Sequence, residues 1–382
     1  MPSRPTTALD VDDLVANPAV RIVVCCGSGG VGKTTTAAAL GLRAAEAGRH
    51  VVVLTIDPAL RLAQSLGLTA LDNTPRPVVN IDTSAGGSLD AMMLDMKRTF
   101  DDVVLAHSTP EKAAAILANP FYVALSSSFA GTQEYMAMEK LGQLRAQIDR
   151  ERRWDLIIVD TPPSRSALDF LDAPKRLGSF LDGRFIRLLM APAKVGGRAY
   201  LKALTSAMSF VTGIMTKILG GQLLLDVQTF VAALDTMFGG FRERADQTYA
   251  LLQNRETAFL VVASPDRDAM REAAFFVERL ALESMPLAGV VVNRVQQVGG
   301  RLDAGRARDA ADALDAMGAG DSTTADLLRL HADLATTAAR HRAHIGRFTT
   351  AHPGIAVVEV PASSRDIHDL EGLREVGSAL GS

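Results

Sequence analysis

Residues 27–34 read Gly27, Ser28, Gly29, Gly30, Val31, Gly32, Lys33 and Thr34, a complete GxxxxGK[ST] run. Glycines at this spacing let consecutive backbone N–H groups turn inward around an anion, and a following helix presents its positive N-terminal end to the same point. A lysine in the seventh place neutralises β- and γ-phosphates, and a hydroxyl in the eighth is an oxygen donor of the kind that hard Mg2+ takes. The chemistry implied is binding of a nucleoside triphosphate, ATP with Mg2+, by residues 27–35. Lys33 is expected to stand solvated until the phosphates arrive, Thr34 to be a magnesium ligand, and Thr35 to extend the binding run.

Two acids fit the same chemistry. Asp57 ends the apolar run VVVLTIDP, and Pro58 behind it blocks strand continuation, so its carboxylate belongs at the sheet edge beside the loop. There it would orient the attacking water and accept its proton, since phosphoryl transfer asks the protein mainly for positioning and charge neutralisation. The competing reading is a strand-end Asp that caps the next helix. Asp160 closes WDLIIVD, four apolar residues and then an acid, and is expected to hold Mg2+ through water. The segment after it, Thr161, Pro162, Pro163 and onward to Pro174, is too rigid for an ordinary turn. With Asp57, Pro58 and Asp160 it reads as a switch that grips the γ-phosphate and lets go on hydrolysis.

These residues need strands to carry them. Apolar, β-branched runs recur at 20–24, 51–56, 89–94, 156–159, 259–262, 289–292 and 355–360, separated by helical stretches. Continuous runs of this kind mark strands buried on both faces, so the fold expected is α/β: a P-loop NTPase with a doubly wound, mostly parallel sheet. Ligands then sit at the strand carboxyl ends, where the loop at Gly27, Asp57 and Asp160 all fall. Residues 18–382 are expected to form one such domain, with 97–153 and 175–255 inserted as a helical subdomain, 296–347 as a helical extension, and 1–17 disordered. The second insertion is rich in Phe and Met, including Met208, Phe210, Ile214 and Met215. It reads either as a groove for a hydrophobic client helix or as a core packed on itself.

A chain of 382 residues that is 48% hydrophobic can bury a substantial core. A net charge of −3 supplies no basic field, so nucleic acid is not expected as a partner. Cys25 and Cys26, the only cysteines, adjoin in the first strand and are expected buried and reduced, in the cytoplasm. The opening residues lack the apolar run of a signal peptide. The stretch 203–225 tempts a membrane reading, but Lys217 interrupts it and Gly220–Gly221 suits a helix end; a hydrophobic helix off the membrane is expected.

The run GSGGVGKTTTAAAL, the Asp57-Pro58-Ala59 triplet, the DTPPS…FLDAP segment and VVVNR at 290–294 closely resemble the ArsA/Get family of deviant Walker ATPases. The resemblance spans nearly the whole chain and is strongest to an actinobacterial branch of paired paralogues. It implies a nucleotide-sandwich dimer that opens and closes with ATP. It also implies adenine contacts by Asn293 and the segment around Pro361, and work in membrane-protein targeting, anion pumping or peripheral association with a membrane. The departures carry equal weight. Ser28 stands where the family carries a lysine that reaches the partner's phosphates. The arsenite-sensing cysteines and the zinc-holding cysteine pair have no counterpart, which argues against both arsenite and zinc. Leu60-Arg61 replaces the family's His-Asn. Ser28 gives the alternative reading of a low-activity regulatory subunit that forms a heterodimer with a lysine-bearing paralogue. A spatial-organiser ATPase is a weaker third, since the C-terminus lacks a basic amphipathic helix.

Overall fold

A computed structural model of the chain describes residues 8–57, 61–119, 122–123, 132–162, 243–317 and 323–381. The chain divides into two compact units, Met1–Met93 with Gln147–Leu168 and Leu252–Ser382, and Leu94–Ala146 with Asp169–Leu251.

The first unit is built on one eight-stranded sheet of β1 (Ile22–Cys26), β2 (His50–Thr55), β3 (Arg76–Pro77), β4 (Ser88–Met93), β5 (Leu156–Asp160), β6 (Thr257–Ala263), β7 (Leu287–Val295) and β8 (Val357–Pro361). The strands lie in the order β3-β4-β2-β5-β1-β6-β7-β8. Every pairing is parallel except that of β3 with β4. All seven apolar runs are strands, and the mostly parallel α/β sheet expected from them is present. β3 was not expected. Its two residues are exposed and one is a proline, which an edge strand tolerates because it need donate no ladder bond.

The disorder expected over 1–17 is corrected for its second half. Val11–Ala16 forms a helix, α1, which buries Val11 and Val15 and is capped by Asp10 accepting from the Asp13 amide. Its C-terminal end is held by Arg49, whose guanidinium donates to the carbonyls of Val15, Asn17 and Val20 and is paired with Asp155 at 2.5 Å. A five-donor fork can satisfy that many carbonyls at once, and nothing in the polar run MPSRPTTALD announces the partner.

α2 (Lys33–Glu46) buries most of its circumference. Its alanines and Gly41 let it press onto the sheet: a Cβ at Gly41 would come within 2.6 Å of a Val53 methyl. Over its other side lies the C-terminal helix Leu370–Leu380, through Leu373, Val376 and Leu380. Clamped on both sides, α2 holds its N-terminus fixed at the end of β1. A short α3 (Arg61–Ser65) follows β2.

In the second unit the described elements are α4 (Met96–His107), α5 (Pro110–Leu117), most of α6 (Thr132–Glu151) and the helical residues 243–251. Phe100 meets Tyr122 edge-on at 5.4 Å, the Tyr122 hydroxyl donates to Asp101, and buried Glu139 pairs with Arg244 at 3.0 Å. Residues 175–242 of the expected 175–255 insertion, with Met208, Phe210, Ile214, Met215 and the 203–225 stretch, lie outside the described residues. No described helix is long and apolar enough to cross a membrane.

α7 (Arg267–Leu282) covers β6 and β7, and the 296–347 segment forms α8 (Ala304–Ala316) and α9 (Thr323–Ala351). The Leu370–Leu380 helix is α10. At the start of β5 sits Trp154, the sole tryptophan, buried. Its indole donates to Asp90 at 2.8 Å, and the Arg153 guanidinium lies 4.6 Å over its ring.

Candidate active site

The loop 27–32 joins β1 to α2, at the carboxyl edge of the sheet. Two of its glycines are compelled by space as well as by conformation. A Cβ at Gly27 (φ +147) would lie 2.1 Å from the Val262 carbonyl oxygen of β6, and one at Gly32 (φ +97) 2.2 Å from the Asn293 amide nitrogen. The loop therefore sits tight against the neighbouring strands, a fit only glycine permits at these two positions.

Lys33 corrects one expectation, since it is only 5% exposed. Its Nζ donates to the Ser28 carbonyl at 2.7 Å. Burial lowers its pKa, and Asp160 is the first of the charges that oppose this. The loop has folded around its own ammonium, so an incoming phosphate must compete with a carbonyl rather than with water.

Asp160 is the centre of the site. It ends β5, opposite Cys25 of β1 and Thr55 of β2. Its Oδ2 accepts from the Thr34 hydroxyl at 2.7 Å and from the Thr55 hydroxyl at 2.9 Å. Its Oδ1 is buried with no hydrogen-bond partner among the described residues. Desolvation pushes its pKa up to about 6, against the pull of the two hydroxyls and of Lys33. A buried carboxylate oxygen left unpaired needs a reason. An all-oxygen donor set with a threonine hydroxyl beside it fits a hard divalent cation such as Mg2+, and Thr34 and Asp160 are the residues that would hold it.

Asp57 follows β2, and its amide donates to the Thr55 hydroxyl at 3.2 Å. It opens on a cleft of about 850 Å³ shared with Gly30, Gly32, Lys33, Thr34, Thr35, Asn293 and Pro361, so most of the residues singled out in the sequence converge on one cavity. Ser28, Gly29 and Val31 line an adjoining cleft on the other side of the loop, with Arg294 and Gly30 common to both. Thr161 continues the β5 edge, its hydroxyl donating to the Cys25 carbonyl at 2.9 Å, and Pro162 is half-buried beside it. Pro58 and Pro163, the turning points of the two expected switches, lie outside the described residues.

Asn293, on β7, ties that strand to the loop: its amide donates to the Val31 carbonyl at 2.9 Å and its Oδ1 accepts from the Arg294 amide. Arg294 adopts φ +61, and its guanidinium donates to the Gly30 carbonyl at 2.9 Å. Neither Arg294 nor Thr55 stood out in the sequence as a site residue. Cys25 and Cys26 are buried, and desolvation raises both thiols, Cys26 to about 12, so neither is poised to react.

Residues 20–298 match the family described as Anion-transporting ATPase. The chain belongs to that family. It is similar to Protein Rv2184c of Mycobacterium tuberculosis, 31% identical over 181 residues that make up 42% of this chain and 39% of that protein. It is also similar to ATPase GET3B of Arabidopsis thaliana, 26% identical over 307 residues, 76% of this chain and 67% of the relative. ATPase BagA of Mycobacterium tuberculosis is 27% identical over 168 residues, 43% of this chain and 48% of that protein. The chain thus spans well under two thirds of Rv2184c and about half of BagA.

Proposed function

We propose that this chain is a Mg2+-dependent ATP hydrolase of the cytoplasm whose nucleotide state opens and closes a dimer and so controls its helical insertion. The observation that carries the catalytic part is the Asp160 carboxylate, buried, held on one oxygen by Thr34 and Thr55 and unpaired on the other, at the mouth of a phosphate loop. Mg2+ bound there would offset phosphate charge and help orient the reacting oxygens. Lys33 leaves the Ser28 carbonyl for the β/γ-phosphates, with the loop amides 27–32 and Thr35 around them. Asp57 orients the attacking water and takes its proton. Asn293 and Pro361 flank the adenine, and the segments beginning at Asp57-Pro58 and at Asp160 to Pro163 act as switches.

A second reading follows from Ser28. A neutral hydroxyl cannot replace an ammonium aimed at a partner's phosphate, and cross-subunit cations of this kind are worth ~10³–10⁵ in rate. We propose a preferred heterodimer in which a lysine-bearing paralogue completes this chain's site. The client of the Phe/Met-rich insertion would be an apolar helix, with contact to a membrane surface as its consequence; zinc and arsenite are not part of this scheme.

Phosphate release by the purified chain, by the paralogue and by the two mixed tests both readings. Hydrolysis should appear chiefly in the mixture, and Ser28→Lys should make the chain active alone. Robust hydrolysis by the wild-type chain, unchanged by the paralogue, overturns the heterodimer. No hydrolysis in any combination, with no nucleotide binding, overturns the hydrolase.

A further inference from the structure

Thr55 has one hydroxyl proton and three polar neighbours. The side chain is 1% exposed, on the last residue of β2, directly across from Asp160 on β5. Its oxygen accepts the Asp57 amide at 3.2 Å and donates to Asp160 Oδ2 at 2.9 Å, while the Asp57 carbonyl stands at 3.3 Å as a second acceptor for the same proton. A carboxylate at the shorter distance is the stronger acceptor, so the proton goes to Asp160 in the structure described. One hydroxyl therefore grips both the buried Asp160 carboxylate and the backbone of the residue at which the chain leaves β2.

We propose that Thr55 is a positioning residue: it turns Asp160 so that Oδ1 faces the cation, and it links the state of that carboxylate to the backbone at Asp57. The inference rests on the Mg2+–ATP reading above. The two carboxylate oxygens are not equivalent. Thr34 and Thr55 together hold Oδ2; a hydroxyl that ligates a cation through a lone pair keeps its proton, so Thr34 retains its bond, and Thr55 is the second contact that stops the group from turning about the first. Losing it leaves the carboxylate held by Thr34 alone and free to turn about that contact, and loosens a side-chain anchor that the strand end supplies to the Asp57 amide. Partners that orient a metal ligand without touching the metal are typically worth ~10–100-fold in metal affinity.

The test is a Mg2+ titration of nucleotide binding, read with a fluorescent N-methylanthraniloyl-ATP, on wild type, Thr55→Val and Thr55→Ser. Valine keeps the shape and removes the hydroxyl; serine keeps the hydroxyl. The expected result is a Mg2+ concentration for half-maximal binding raised by at least ~10-fold in the valine variant and within ~3-fold of wild type in the serine variant. Affinity in EDTA should be equal in all three. Amide exchange over the peptide that contains Asp57 should slow on adding Mg2+ and nucleotide in wild type and serine, and not in valine. Should the valine variant fail to fold, Thr55→Ala is read in its place. A Mg2+-dependent wild type with a valine variant indistinguishable from it overturns this inference alone. A wild type whose nucleotide binding ignores Mg2+ overturns the Mg2+–ATP reading, and this inference with it.

Discussion

Replacing Asp160 with asparagine removes a charge that the fold holds at a cost. Burial raises the carboxyl pKa from 3.8 to about 6, which amounts to ~3 kcal/mol of folding free energy. The sign is set by which state binds the proton. Between those two values the folded chain holds more protons than the unfolded one, so the stabilising contribution is complete below 3.8 and is lost as pH rises through about 6. The asparagine side chain would keep an acceptor for Thr34 and Thr55 but put an amide where Oδ1 finds no partner, a pH-independent cost of ~1–3 kcal/mol. The quantity to follow is therefore how the stability difference between Asp160→Asn and wild type changes with pH. It should move in favour of the variant by about 2 kcal/mol between about pH 4.5 and pH 8, most of it below about pH 7. Urea unfolding followed by far-ultraviolet circular dichroism, in EDTA and without nucleotide, measures it. A difference that stays flat across that range, or that moves in favour of wild type, refutes the argument that burial outweighs the partners of Asp160.

Lys33→Ala should abolish measurable ATP binding by calorimetry at micromolar protein, with the circular dichroism spectrum unchanged, because the buried ammonium satisfies a loop carbonyl and carries no part of the sheet; unaltered affinity would displace the phosphate site. Asp57→Asn should retain ATP binding yet slow hydrolysis at least ~100-fold in the active assembly, the usual cost of losing a positioned proton acceptor; wild-type turnover would make Asp57 a structural residue.

The sheet was legible because parallel strands buried on both faces must be written as unbroken apolar runs, and β1, β2 and β4 to β8 are so written. β3 was not, since two exposed residues carry no pattern. α1 was hidden for a different reason: what orders it is Arg49, more than thirty residues away, and long-range capping leaves no local trace. The phosphate loop and the two acids could be read from motif and from their place at strand ends. Lys33 was misjudged because a sequence cannot say what a lysine touches while its ligand is away. Thr55 went unnoticed although it stands two residues before Asp57, as the last residue of β2. Its importance depends on the register of β2 against β5, strands separated by about a hundred residues, and no pattern within either run fixes that alignment.

The single tryptophan offers an optical handle that the chain carries by itself. Trp154 is enclosed at the amino end of β5 with its indole bonded to Asp90, so its emission should be blue-shifted when the sheet is intact and move to the red when water reaches it. Asp160 lies six residues along the same strand, ~20 Å away at ~3.3 Å per residue. Light emitted there reports whether the strand that carries the site is standing, and is insulated from quenching by whatever binds at its far end.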